Sequence, residues 1–158
     1  MFKKNTSHYQ GELFGFQTML SEQAIKKLKS SKYYAFYQLI FCKIKEENFK
    51  VLYSDKASRP NVPINVLVGS LLLKNMNNWT YEELFGELSF DIRVRHALGY
   101  KDFEDDIYCE ASMYNFLVRL NDHYIETGED LVGSVFDNLT KEQLDKLHIN
   151  TDICRVDS

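Results

Sequence analysis

Asn115 and Arg119 form the pair of residues whose types and spacing carry the most specific chemistry in this sequence. Around them Met113, Phe116, Leu117, Leu120 and Tyr124 recur at helical spacing and are expected on one inner face. Residues four apart on such a helix lie on one face, about one turn from each other. An asparagine amide can bridge N6 and N7 of adenine, and an arginine guanidinium can bridge O6 and N7 of guanine. Each such contact discriminates by roughly 1–3 kcal/mol. A helix from Ser112 to His123 is therefore a candidate major-groove reader, with Asn115, Val118, Arg119 and Asp122 facing out. Arg59, Arg93 and Arg95 are candidate phosphate contacts, with Lys26, Lys27, Lys29 and Lys56 in support. Arginine suits bidentate contact with phosphate oxygens, and Arg59 sits in a loop stiffened by Pro60. Asp122 and Glu126, on the same helix, would repel phosphates.

Other chemistries find little support. Cys42, Cys109 and Cys154 are far apart and odd in number, which excludes both a zinc motif and a disulfide framework. His8, His96, His123 and His148 are scattered. Asp102, Glu104, Asp105 and Asp106 lack the glycine and spacing of a calcium loop and read as a solvated acidic loop. No phosphate-cradling glycine loop or nucleophile elbow occurs, so no cofactor is expected in this chain.

The segments that must position the reader are helical. Ser21-Glu22-Gln23-Ala24 starts a helix with a basic face. Tyr33, Tyr37, Ile40, Phe41 and Ile44 then predict an amphipathic helix with a broad apolar stripe. Residues 54–63 are the clearest break, and Pro63 suits the first turn of the next helix, which runs to about Asn77. That helix is apolar on nearly every side through Leu73 and should be buried. Thr80-Tyr81-Glu82-Glu83 is a capping box, Asp91 opens a short basic helix, and Gly99 falls at its left-handed C-cap. Gly128 ends the reader helix, another helix spans about Glu129 to Asn138, and Thr140-Lys141-Glu142-Gln143 is a second capping box. Alternation over 149–158 suggests a strand. The expected fold is all-α: a compact multi-helix domain over residues 1–150, with a helix-turn-helix-like unit in 63–123 and a short terminal strand stub at 151–158.

Composition agrees. Apolar residues make up 44% and charged residues 27% of 158, which is globular rather than disordered. The apolar run Val66 to Leu73 is too short to span a bilayer, and the polar, basic start is no signal peptide. A cytoplasmic, nucleoid-associated bacterial protein is expected. The net charge is −4, but residues 1–80 hold 12 Lys and Arg against 5 Asp and Glu, while residues 81–158 hold 7 against 18. Such asymmetry points to a partner with polarised charge.

Several segments in order resemble one family. Ser58-Arg59-Pro60-Asn61-Val62-Pro63-Ile64-Asn65-Val66-Leu67-Val68-Gly69 is similar to the start of the N-terminal domain of InsH-like DDE transposases. The segment 79–84 and Phe90-Asp91-Ile92-Arg93-Val94-Arg95-His96-Ala97-Leu98-Gly99 continue it. Tyr114-Asn115-Phe116-Leu117-Val118-Arg119-Leu120 resembles the family's Arg-rich helix, with Leu117 where the family has arginine. Arg155-Val156-Asp157-Ser158 resembles the strand bearing the first catalytic carboxylate. The resemblance implies that Asp157 is the first of three carboxylates which, in the full-length enzyme only, hold two divalent metal ions (Mg) for strand cleavage and transfer. It implies an RNase H-like catalytic domain beginning at 151 and lying otherwise beyond this chain, so the chain itself should not cut DNA. The expected partner is double-stranded DNA at the terminal inverted repeats of an insertion sequence, with no membrane and with a possible homo-oligomer. The alternative is a helical interaction module, for transposase dimerisation or for docking on the catalytic domain.

Overall fold

Apolar side chains at nearly every position from Ile64 to Leu73 leave that segment no solvent face, and it becomes the central helix. The computed structural model describes residues 1–7, 15–54 and 60–147, with backbone alone at 17 and 143–147. Among these residues there are eight α-helices and no strand. They are α1 (Phe16–Met19), α2 (Glu22–Lys29), α3 (Lys32–Leu39), α4 (Ile64–Asn77), α5 (Tyr81–Phe90), α6 (Ile92–Ala97), α7 (Glu110–Thr127) and α8 (Leu131–Leu147). Two 3-10 segments, Phe41–Lys43 and Glu46–Leu52, lie between α3 and α4. None of the helices is long and apolar enough to cross a membrane. The proposed terminal strand and the domain boundary near 150 lie outside the described residues.

In α4, Ile64 through Ser70 and Leu73 are buried. Gly69 lies against Phe41 and Leu98: a Cβ there would come within 2.9 Å of Leu98 Cδ2 and 3.2 Å of Phe41 Cδ2. α3 packs chiefly on α6, and α7 covers the second 3-10 segment, with the Phe49 and Phe116 rings 6.1 Å apart.

Pro63 does not enter the first turn of α4. It stands at the cap, and no side chain of its own neighbourhood caps the helix. The buried carboxylate of Glu46 does so instead, accepting from Ile64 N at 3.1 Å and Asn65 N at 3.4 Å. Its other oxygen accepts from Asn5 N at 2.9 Å, and Asn5 Nδ2 donates to Asn65 Oδ1 at 3.1 Å. The N-terminal arm is thereby tied to the start of α4. Met1 O accepts from Asn61 N and Lys3 N donates to Asn61 Oδ1, which extends the tie to the loop before α4.

The local signals read from sequence set most helix ends. Ser21 caps α2, Asp91 caps α6, and Thr80 with Glu83 forms the reciprocal box on α5. Gly99, at φ 75°, closes α6 with paired bonds from Gly99 N to His96 O and from Tyr100 N to Arg95 O.

Four expectations are corrected. The stripe from Tyr33 to Ile44 is not one helix, because α3 ends at Leu39 and the chain turns through 41–43. α7 begins at Glu110, two residues before Ser112, with Cys109 at its cap. Tyr124, expected on the inner face of that helix, is 55% exposed. The second box starts no helix: Thr140 lies inside α8, whose Leu131, Val135 and Leu139 keep one core-facing stripe across it. The helix-turn-helix order is also altered. α4 and α5 are joined by the short turn 78–80, whereas α7 follows the long stretch 98–109 and is no tight-turn partner of either.

Glu46→Ala leaves two amide donors at the start of the most buried helix, and a third in the N-terminal arm, without their carboxylate. The expected cost is about 1–3 kcal/mol in urea unfolding. A loss below about 0.3 kcal/mol would mean that water caps α4 equally well.

Candidate nucleic-acid interface

Asn115 and Arg119 are exposed on α7, one turn apart. Met113 and Phe116 are buried beneath them and fix which face they occupy. The Arg119 guanidinium lies 4.9 Å from the centre of the Tyr53 ring. Burial pushes the Tyr53 phenol up, against the opposing pull of the Arg119 charge. Tyr53 directly follows the 3-10 segment that Phe116 covers, so the contact that anchors α7 also steadies Arg119. No spacing in the sequence announces Tyr53 as its partner.

Both side chains line a cleft of about 1010 Å³. Its other walls are the N-terminal arm, residues 60–63, the first turns of α4, and the loop from Leu98 to Cys109. Glu46 holds the arm and the α4 end of this cleft together.

Arg95 departs from its expected role. It is only 4% exposed, and its guanidinium donates to Leu88 O at 2.8 Å, Asp102 O at 2.8 Å and Asp105 O at 3.3 Å. Its remaining faces lie against Phe103 at 4.8 Å and Tyr100 at 5.8 Å. Burial pushes the Tyr100 phenol up to about 12. A guanidinium so enclosed cannot reach a phosphate; it holds the loop that leads into α7. The acidic loop is built around it. Asp102 accepts from Glu104 N and Asp105 N, and Asp105 accepts from Lys101 N. Among the described residues no group of three His, Cys, Asp or Glu is placed to hold a metal ion.

Arg93 is half-exposed and paired with Asp91, which also caps α6. Burial opposes ionisation of Asp91, but hydrogen bonds from Arg93 outweigh it and hold the carboxyl below its ordinary value. Surface pairs of this kind contribute about 0–1 kcal/mol, so a phosphate can displace the carboxylate at small cost. Arg93 lies 5.4 Å from the Tyr33 ring, and Lys32 lies 5.3 Å from it while donating to Asn77 Oδ1. Arg93 therefore stands toward the C-terminal end of α4, and Arg119 toward its N-terminal end. A 14-residue helix separates its ends by about 20 Å. Lys26, Lys27 and Lys29 are exposed on α2. Arg59, Lys56 and Asp157 lie outside the described residues, so the set Arg59, Arg93, Arg95, Asn115 and Arg119 is brought together only at Asn115 and Arg119.

The same helix carries apolar side chains that the sequence reading did not single out as a surface. Tyr114 is 68% exposed and Ile125 is 72% exposed, with Val118 between them.

Among the described residues these features define an all-helical fold with an arginine-bearing cleft of mixed polar and apolar lining. Over residues 22–119 the chain matches the family model described as Transposase domain (DUF772), and it belongs to that family. No curated protein and no solved structure matches it.

His96 shows how tightly α3 and α6 are joined. It is buried, stacks on Tyr34 at 5.5 Å, meets Tyr37 in a tilted contact at 5.1 Å, and its Nε2 has no hydrogen-bond partner. Burial lowers its pKa from the ordinary 6.5. The fold thus favours neutral His96: its contribution is complete above about pH 6.5 and is lost as pH falls through the lower folded value. Stability measured by urea unfolding is expected to drop below pH 6.5, and His96→Phe is expected to flatten that part of the profile. An unchanged slope in the variant would move the effect to the carboxylates.

The two arginines give a second test. Arg95→Ala is expected to lose about 3 kcal/mol of stability, through orphaned carbonyls. Arg119→Ala is expected to lose about 1 kcal/mol or less, since it forfeits one partly exposed ring contact. Equal losses would contradict the separation of a structural arginine from a displayed one.

Proposed function

We propose that this chain is the end-binding region of an InsH-like DDE-type insertion-sequence transposase, recognising the terminal inverted repeats during transposition. Membership of the transposase-domain family supports the setting. The observation that carries the reading is the exposed Asn115–Arg119 pair, with Arg119 held against Tyr53 beside a cleft. Asn115 and Arg119 contact bases, and Arg93 contacts phosphate at the other end of α4. The two ends of α4 are about 20 Å apart, which corresponds to about six base pairs at 3.4 Å each. Arg59 and the α2 lysines are proposed as further phosphate contacts.

In the same reading the parent enzyme carries Asp157 as its first metal-binding carboxylate, with two divalent ions supplying the chemistry of strand cleavage. One carboxylate cannot hold two metals, so residues 1–158 are expected to bind DNA without cutting it.

The second reading, an interaction module, is favoured by Tyr114, Val118 and Ile125 on α7 and Phe136 on α8, which are exposed apolar side chains flanked by Asp122 and Glu126. Under that reading sedimentation would show an assembly indifferent to DNA.

Fluorescence anisotropy with a duplex bearing the insertion-sequence end, against a scrambled duplex, tests the first reading. Binding should favour the end sequence and weaken steeply with salt. Asn115→Ala or Arg119→Ala should each reduce that preference by roughly 1–3 kcal/mol, while Arg93→Ala should weaken both duplexes alike. Uniform loss in the α7 variants would make them phosphate contacts, and no binding to either duplex would favour the interaction module.

A further inference from the structure

Asn115 and Arg119 are exposed on α7, and they also line a cleft together with the N-terminal arm and residues 60–63. Its volume, about 1010 Å³, is just above the roughly 300–1,000 Å³ found for small-ligand sites.

We propose that this cleft takes an unpaired nucleotide at or next to the end of the DNA, so that Asn115 and Arg119 read a base displaced from the stack. The inference rests on the DNA-end reading above and specifies which part of the DNA the site holds.

The chemistry of the walls sorts the parts of a nucleotide. The Arg119 guanidinium, backed by Tyr53, offers a flat cation on which a base can stack and a donor set for the attached phosphate. Asn115 and Asn61 both reach the cleft, and an amide can pair with a base edge that no longer has its Watson–Crick partner. Asn61 is fixed in place by Lys3 N and by its own bond to Val62 O. Asp105 and Asp106 line the far side. Asp105 is engaged by Lys101 N, whereas the exposed Asp106 carboxylate repels a phosphate and accepts from an exocyclic amine. The phosphate is therefore directed to the Arg119 side and an amino-bearing base to the Asp106 side. A strand end is where such a nucleotide is most easily supplied, since terminal pairs lose least on unstacking.

The test uses the full chain and three probes carrying the same insertion-sequence end: fully paired, with the terminal two pairs mismatched, and paired with 2-aminopurine at the terminal position. The mismatched probe should bind at least tenfold more tightly than the paired one, and the 2-aminopurine should brighten on binding. In Arg119→Lys and Asn115→Ala, both checked for native helicity by circular dichroism, that tenfold gain should shrink to less than threefold. Equal affinity for paired and mismatched ends with a silent 2-aminopurine would overturn this inference and leave the end-binding reading intact. No binding to any probe would overturn both.

Discussion

The carboxylate of Glu46 satisfies a requirement that α4 creates by being buried. A helix end leaves its first amides without partners, and at the surface water or a local side chain supplies them. At the start of α4 the preceding residue is Pro63, which brings no side-chain acceptor, and the amides of Ile64 and Asn65 are already in the core. A charged acceptor from a distant segment answers both the hydrogen-bond requirement and the positive end of the helix dipole. Burial nevertheless raises the Glu46 pKa, and the amides of Asn5, Asn65 and Ile64 only partly offset that. The geometry is thus maintained against a desolvation cost. One carboxylate ties together the start of α4, the N-terminal arm and the 3-10 segment that leads into Tyr53, on all of which the candidate site depends.

Arg95 performs the complementary task at the other side of the cleft. A buried guanidinium collects carbonyls from the end of α5 and from the loop 102–105. That loop determines where α7 begins, and hence where Asn115 and Arg119 point. Arg93 and Arg95 are two residues apart on a short helix and so fall on different faces. One packs inward as a structural cation and the other pairs with Asp91 at the surface. Sequence alone treats them as equivalent charges; only the packing of Tyr100 and Phe103 around Arg95 separates them.

Legibility followed the range of the interaction. The ends of α2, α5 and α6 were readable because Ser21, Thr80 with Glu83, Asp91 and Gly99 act within four residues. The buried course of α4 was readable from its unbroken apolar run. The break after Leu39 was not, because the apolar stripe from Tyr33 to Ile44 runs through it, while the backbone leaves the helix at Ile40 and turns through 41–43. The Thr140 box misled for the converse reason. A box describes a helix start only where the backbone before it is free to leave the helix, and Leu139 is held in the core. At the candidate site the face bearing Asn115 and Arg119 was readable from Met113 and Phe116. The Tyr53 support, the Glu46 cap and the concavity were not, since each joins segments dozens of residues apart.

The acidic second half looks like an objection to DNA binding until its carboxylates are followed to their partners. Asp91, Glu83, Asp102, Asp105 and Asp130 each accept from backbone amides at a cap or turn. Their charge sits against local dipoles. At physiological ionic strength fields are screened beyond about 8 Å, so a phosphate responds to the groups nearest it rather than to the net charge of −4. On α7, Asp122 and Glu126 lie one to two turns beyond Arg119, and Glu110 lies in the first turn, before Asn115. Tyr114, Val118 and Ile125 are exposed apolar side chains spread along the same helix. Tyr114 adjoins Asn115 and Val118 adjoins Arg119, so nucleic-acid and protein partners that engage this helix would meet overlapping stretches of it.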